Sequence, residues 1–155
     1  MVTIPKVTLN TDLNEGFCFG CGQNNPIGMK LHFIKDGDTI TAEFTPDKMH
    51  QGWPGLLHGG IVMTLLDEAM SNAAYATGNT TLTVSMDMRW RSTVKVDATL
   101  VVIAWITRQR KKLIETAGKV TLKDGTIIAE STAKQFIAEN QAAQGDKVKE
   151  TRSHV

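Results

Sequence analysis

Much that would assign this chain to a class outright is missing from it. Only two of its 155 residues are cysteine, which excludes a disulfide-built scaffold and fits a reducing compartment. No apolar run approaches the roughly 20 residues that a membrane helix needs. The opening "MVTIPKVTLNTDLNEG" lacks the long apolar stretch that directs secretion, so a cytoplasmic chain is expected. Charge of one sign is missing too: 17 Lys and Arg stand against 16 Asp and Glu, for a net charge of +1. That balance excludes a general binder of nucleic acid or of membrane surfaces, though a local basic cluster still suffices to hold a phosphorylated small ligand. Internal repeats and low-complexity segments are absent as well.

What is present is an ordinary globular composition, 41% hydrophobic, in a length that suits one domain with a real core. Residues 1–15 read as a polar N-terminal arm and 139–155 as a polar, frayed tail, which leaves 16–138 as the domain. The stretch "GFCFGCGQNNPIGMKLHF" (16–33) is rich in glycine and turn formers. In "GDTITAEFTP" (37–46), Ile40, Ala42 and Phe44 share one face, as in a strand that Pro46 ends. "DKMHQGWPGLL" (47–57) reads as a loop. From Gly59 to about Tyr75 no breaker intervenes and Leu, Met and Ala dominate, which predicts one long helix. Gly78 and Asn79 suit its C-terminal cap.

After the helix the period changes to two. In 83–91, Val84, Met86, Met88 and Trp90 alternate with Ser85, Asp87, Arg89 and Arg91. "ATLVVIAWIT" (98–107) is apolar on both faces, like a strand buried on both sides. Residues 113–122 and 126–138 flank "KDG" (123–125), a hairpin turn signal. Strands, one apolar helix and about four more antiparallel strands make an α+β chain, whose helix requires a sheet to cover it.

The segment "HQGWPGLLHGGIVMTLLDEA" resembles the signature of hotdog-fold thioesterases, in the branch of the phenylacetate-pathway and THEM-type acyl-CoA thioesterases. "CFGCGQNNPIGMKLHF" is similar to the leader of many members of that branch. The resemblance covers roughly residues 16–138, and its most specific part is HGG followed by an acid seven residues after the second Gly. It implies an antiparallel sheet wrapped round one central helix. It also implies a twofold homodimer, often paired again into a homotetramer, and hydrolysis of a coenzyme A thioester without metal or cofactor.

Thioester hydrolysis needs a nucleophile or a base that activates water, and donors aimed at the oxyanion that forms. A helix start supplies free N–H groups and a positive dipole end, and glycine there lets a substrate approach the backbone. Gly59 and Gly60 open this helix, so the Gly59 amide is the expected oxyanion donor, at the position that matches the family's donor. Asp67 aligns with the family's catalytic acid, as nucleophile or general base. Glu68 lies about 100° round the helix and reads as a salt-bridged or solvated bystander. Gly59 and Asp67 are eight residues apart, about 12 Å of helical rise, so one helix cannot bring both to one carbonyl. The site then needs Gly59 from one subunit and Asp67 from another.

Weaker candidates surround these. Gln51 stands for an amide side chain that relatives carry six residues before the His, here seven. His58 matches the family's His and is expected to hold the loop at the helix start. Ser85, eighteen residues after Asp67, aligns with a Ser that assists the acid in the THEM type. Trp53 and Met63 suggest an apolar pocket, Gly60 a close approach of substrate, and Arg89 and Arg91 or "RQRKK" (108–112) a grip on coenzyme A phosphates.

Cys18 and Cys21 have CxxC spacing, but a zinc site takes four ligands and no second CxxC follows. They read as packing, and no metal is expected. Two function classes stay open: a thioester hydrolase, which needs Asp67, and a non-catalytic acyl-CoA-binding or sensing domain, which does not. A hydratase on the same fold would pair its Asp with a nearby His, which "EAMSN" after Asp67 lacks.

Overall fold

The computed structural model describes residues 15–140 together with Thr8 and Leu9. Most of the expected arm (1–15) and tail (139–155) lies outside the described residues. Of these, Thr8–Leu9 (β1) runs parallel to Glu139–Asn140 (β8) as a two-residue pair. Between them lie β2 (Ile34–Asp36), β3 (Thr39–Phe44), a short 3-10 turn (Lys48–His50), α1 (Gly59–Tyr75), β4 (Thr81–Trp90), β5 (Leu100–Arg110), β6 (Leu113–Leu122) and β7 (Ile127–Ile137).

One antiparallel sheet has the strand order β2-β3-β5-β6-β7-β4. The helix packs across its concave face. Val62, Leu65, Leu66, Ala69, Met70, Ala73 and Ala74 are its buried residues, at the three- and four-residue spacing of a single wide stripe. They meet Ile40, Ala42, Phe44, Leu100, Val102, Ala104, Val120 and Ala133 from the sheet. The helix over Gly59–Tyr75 and the four strands after it lie where the sequence pattern predicts them. At the β6–β7 turn Gly125 has φ +89°. Asp124 Oδ1 there accepts the Thr126 N–H at 2.9 Å, and this bond holds the Asp124 carboxyl below its ordinary range.

Two features position the site. After β4, the chain returns across the helix start to reach β5: Leu57 N–H donates to Val94 O at 2.9 Å, and Leu56 bridges Lys95. The start of α1 is thus framed by 51–57 on one side and 91–97 on the other. The second feature is a bulge in β4. Thr83 pairs with Gln135, but Ser85 pairs with Lys134, leaving Val84 unpaired. Because strand side chains alternate, one extra residue exchanges the two faces beyond it. Thr83 therefore faces the helix, as do Met86, Met88 and Trp90, while Ser85, Asp87 and Arg89 face outward.

β5 differs from the expectation of burial on both faces. Leu100, Val102 and Ala104 are buried under the helix, whereas Val101, Ile103 and Trp105 on the outer face are half-buried. None of the described helices is long and apolar enough to cross a membrane.

Candidate functional site

His58 is the N-cap of α1, with extended backbone (φ −68°, ψ 132°). Its Nδ1 accepts the Gly60 N–H at 2.9 Å, while the Ile61 and Val62 N–H groups turn back to the His58 carbonyl at 3.0 and 3.4 Å. Among the described residues the Gly59 N–H has no partner. It is one of the orphan donors that every helix start carries, and it opens toward a groove of about 400 Å³ lined by Trp53, Leu57, Val62, Trp90, Arg91 and Ile128, among others. A Cβ on Gly59 would lie 3.4 Å from Trp90 Nε1, so the indole edge packs against the side-chain side of this residue.

His58 holds this geometry and is not free for other chemistry at Nδ1. A Cβ on Gly60 would come within 2.9 Å of that nitrogen, so position 60 is reserved for glycine by the cap itself. His58→Ala is expected to lower stability by about 1 kcal/mol, as loss of an N-cap does, and His58→Asn to retain most of it. A thermal melt of the three proteins checks this.

Asp67 lies two turns along, half-buried, and its Oδ1 accepts the Thr83 Oγ1 hydrogen at 2.7 Å. Around it runs a polar seam under an otherwise apolar interface. Gln135, fully buried, donates from Nε2 to Ser71 Oγ at 3.2 Å and accepts from Thr81 Oγ1 at 3.3 Å. Gly60, Met63 and Asp67 share one helix face, and Met63 on it is 40% exposed.

The hydroxyl beside Asp67 is Thr83. Ser85, the residue expected there, is carried to the outer face by the Val84 bulge. Gln51 is also turned elsewhere: its Oε1 accepts the Gly55 N–H at 3.2 Å and closes its own loop. Trp53, 81% exposed, and Arg91 line the groove at Gly59. Arg91 is held by Glu130, with Nε and Nη2 at 2.8 and 2.7 Å from Oε2. Arg89 lies on the outer face, and Arg108–Lys112 spans the exposed turn between β5 and β6. The structure thus gathers Gly59, His58, Gly60, Trp53 and Arg91 at the helix start and puts Asp67 apart from them.

Thr83, Ser71 and Gln135 carry no motif of their own in the sequence, and Trp90 reads there only as one residue of an apolar strand face. Thr81 and Thr83, alternate hydroxyls on a strand that must cover a helix, were the available signal. Glu68 is no solvated edge. It lies half-buried against the Cys18–Cys21 loop and accepts the Cys18 thiol hydrogen at 3.3 Å. Burial, with the Glu68 carboxylate next in weight, pushes the Cys21 thiol up to about 12.

Solved thioesterases share this fold. The thioesterase protein of Streptococcus pneumoniae TIGR4, whose crystal structure contains coenzyme A, superposes with a TM-score of 0.67 at 16% identity, over 70% of this chain and 89% of that one. The E. coli PaaI protein from the phenylacetic acid degradation operon superposes with a TM-score of 0.66 at 16% identity, over 70% and 83% of the two chains. The six-stranded antiparallel sheet on a single helix is the hotdog fold. In sequence, the acyl-coenzyme A thioesterase THEM4 of Bos taurus is 24% identical over 131 residues, 83% of this chain and 54% of that protein. The chain therefore spans about half the length of this curated relative. The profile of the thioesterase superfamily matches residues 54–129, from the loop before the helix into β7. Residues 54–129 thus carry the superfamily's sequence pattern, and the fold round them is the one those solved thioesterases have.

Proposed function

We propose that this chain hydrolyses an acyl-CoA thioester, with Asp67 as the reactive acid and the Gly59 N–H of a second copy as the oxyanion donor. One observation carries the reading: an unpartnered N–H at a glycine helix start, and a carboxylate positioned by a hydroxyl about 12 Å further along the same helix. Each half fits thioester chemistry, and the two are too far apart to meet at one carbonyl within a chain.

The open edge of the sheet supplies the remedy. β4 is ten residues long and, among the described residues, pairs only with β7. An uncovered edge of that length invites a second strand. Antiparallel β4–β4 pairing about a twofold axis is isologous, and it sets the two helices antiparallel, the start of one toward the middle of the other. Two equivalent sites result, each with one subunit's Gly59 and its partner's Asp67. We assign the same pairing as the basis of the homodimer; a homotetramer needs a second surface.

The thioester carbonyl then accepts from the Gly59 N–H, with the helix dipole favouring its developing negative charge. Either the Asp67 carboxylate attacks the carbonyl carbon, or it takes a proton from a water that attacks. Both routes consume one water and release acid and coenzyme A thiol. Single turnover in isotopically labelled water separates them, since only the first leaves label in Asp67. Leu57, Val62, Trp90 and Ile128 give the groove an apolar wall for an aryl or a short-to-medium acyl chain, and Arg91 stands at its rim for coenzyme A.

Thiol release from a panel of acyl-CoAs tests the proposal. No turnover of any thioester, combined with tight acyl-CoA binding, would leave the non-catalytic binding domain instead. The two hydroxyls of β4 give a sharper check. Thr83→Ala is expected to slow turnover about tenfold, the loss of one hydrogen bond of roughly 1.4 kcal/mol to a charged group. Ser85→Ala, on the other face, is expected to leave kcat unchanged.

A further inference from the structure

The feature left outside this chemistry is the loop of Cys18 and Cys21. Its sequence, CFGCG, forms a tight turn in which Gly22 N–H donates to Cys18 O at 2.9 Å. A Cβ on Gly22 would collide with the Gly16 carbonyl and with the backbone of Cys18, so the turn is closed at that position to every residue but glycine. The turn is anchored behind: Met29 N–H donates to Phe19 O at 2.8 Å and Leu31 N–H to Gly20 O at 2.9 Å, with Met29 and Leu31 both buried. It is anchored in front by Glu68, whose side chain lies so close to Gly20 that a Cβ there would collide with it.

The result is three ligand atoms on one spot. The sulfurs of Cys18 and Cys21 and a carboxylate oxygen of Glu68 all lie within 4.8 Å of one another, and Cys18 Sγ is 3.3 Å from Glu68 Oε1. A tetrahedral zinc with bonds of about 2.3 Å to sulfur and about 2.1 Å to oxygen spaces its ligand atoms by about 3.5–3.8 Å. From the spacing seen here, no pair of ligand atoms has to close by more than about 1.3 Å to reach that geometry. From these positions we propose that Cys18, Cys21 and Glu68 form a zinc-type site for a thiophilic divalent cation. Glu68 is the third ligand that the CxxC spacing alone does not reveal, since it comes from α1, 47 residues after Cys21.

The donor set selects the ion. Two thiolates favour zinc over magnesium or calcium, which prefer all-oxygen shells. Binding forms two sulfur–metal bonds and one oxygen–metal bond, and both thiol protons pass to solvent. No electron moves. Among the described residues no fourth His, Cys, Asp or Glu joins the three, so the remaining position, beside exposed Cys18, is open to water. The ion would fasten the leader loop to the helix turn that carries Asp67, replacing a weak thiol–carboxylate contact by coordinate bonds.

Cobalt(II) is the probe. The full chain, reduced and stripped with chelator, is titrated with Co²⁺ and then with Zn²⁺, while thiolate-to-cobalt charge transfer and the visible bands are recorded. The expected result is one equivalent of cobalt with a two-thiolate band, displaced by zinc. That band should fall by about half in Cys18→Ser and in Cys21→Ser, and the affinity should fall by at least the roughly 10–100-fold that loss of an outer-sphere partner costs in Glu68→Gln. Absence of a thiolate band, or an unchanged band in Cys21→Ser, overturns the site; unchanged affinity in Glu68→Gln overturns the three-donor set. Circular dichroism checks that each variant is folded. A wild-type measurement needs no variant: zinc should block alkylation of both cysteines by a maleimide, and full labelling at saturating zinc contradicts the proposal. None of these readouts depends on hydrolytic activity.

Discussion

Asp67→Asn is expected to lower kcat for acyl-CoA hydrolysis by about 10²–10⁴-fold, the range for removing a positioned base or nucleophile, while the protein stays folded and keeps the wild-type assembly. The substitution keeps the volume and an acceptor for the Thr83 hydroxyl, which donates to Oδ1 at 2.7 Å. What it removes is the negative charge and the basic lone pair. Asp67 is half-buried on a face that already carries exposed Met63, so no core packing is lost and the effect reads on chemistry. Steady-state thiol release gives the rate and sedimentation gives the assembly. A loss confined to KM would mean that Asp67 binds substrate without reacting.

Gly59→Pro is expected to lower kcat by about 10²–10³-fold, the cost of one oxyanion-hole donor. A backbone donor usually resists mutagenesis, but this one is accessible. Proline is well tolerated at the first position of a helix, since the N–H it lacks has no intrahelical partner there. His58 before it is already extended (φ −68°, ψ 132°), the conformation that a following proline requires. The added Cβ meets Trp90 Nε1 at 3.4 Å, ordinary contact. Gly59→Ala is the control: it adds that same carbon but keeps the N–H. A large loss in the proline variant alone assigns the effect to the donor; equal losses in both would assign it to crowding against Trp90.

Much of this architecture could be read directly from the amino acids. The helix from Gly59 to Tyr75 has no breaker and ends before Gly78. The KDG turn sets the β6–β7 hairpin, and Ile40, Ala42 and Phe44 lie buried on one face of β3, as alternation requires. The reading failed where a register changed without a sequence mark. Nothing in "LTVSM" distinguishes Val84 as the extra residue of a bulge, and strict alternation beyond it assigns Ser85 to the face that Thr83 occupies. β5 misled in another way, because its alternating apolar residues are half-buried on the outer face of a single subunit. The contact of Glu68 with Cys18 was invisible for a simpler reason. Fifty residues separate them, and only the fold brings the leader loop onto the helix.

The claim on which the functional account turns is that one site draws on two subunits. It is tested most directly by mixing Asp67→Asn protein with Gly59→Pro protein, each nearly inactive alone, and letting the subunits exchange. A mixed dimer has one site with both defects and one with neither. Random re-pairing makes half of the dimers mixed, so about a quarter of wild-type turnover should return. If the mixture, shown by mass to contain mixed dimers, stays as inactive as its components, Gly59 and Asp67 do not serve a shared site and the account is wrong.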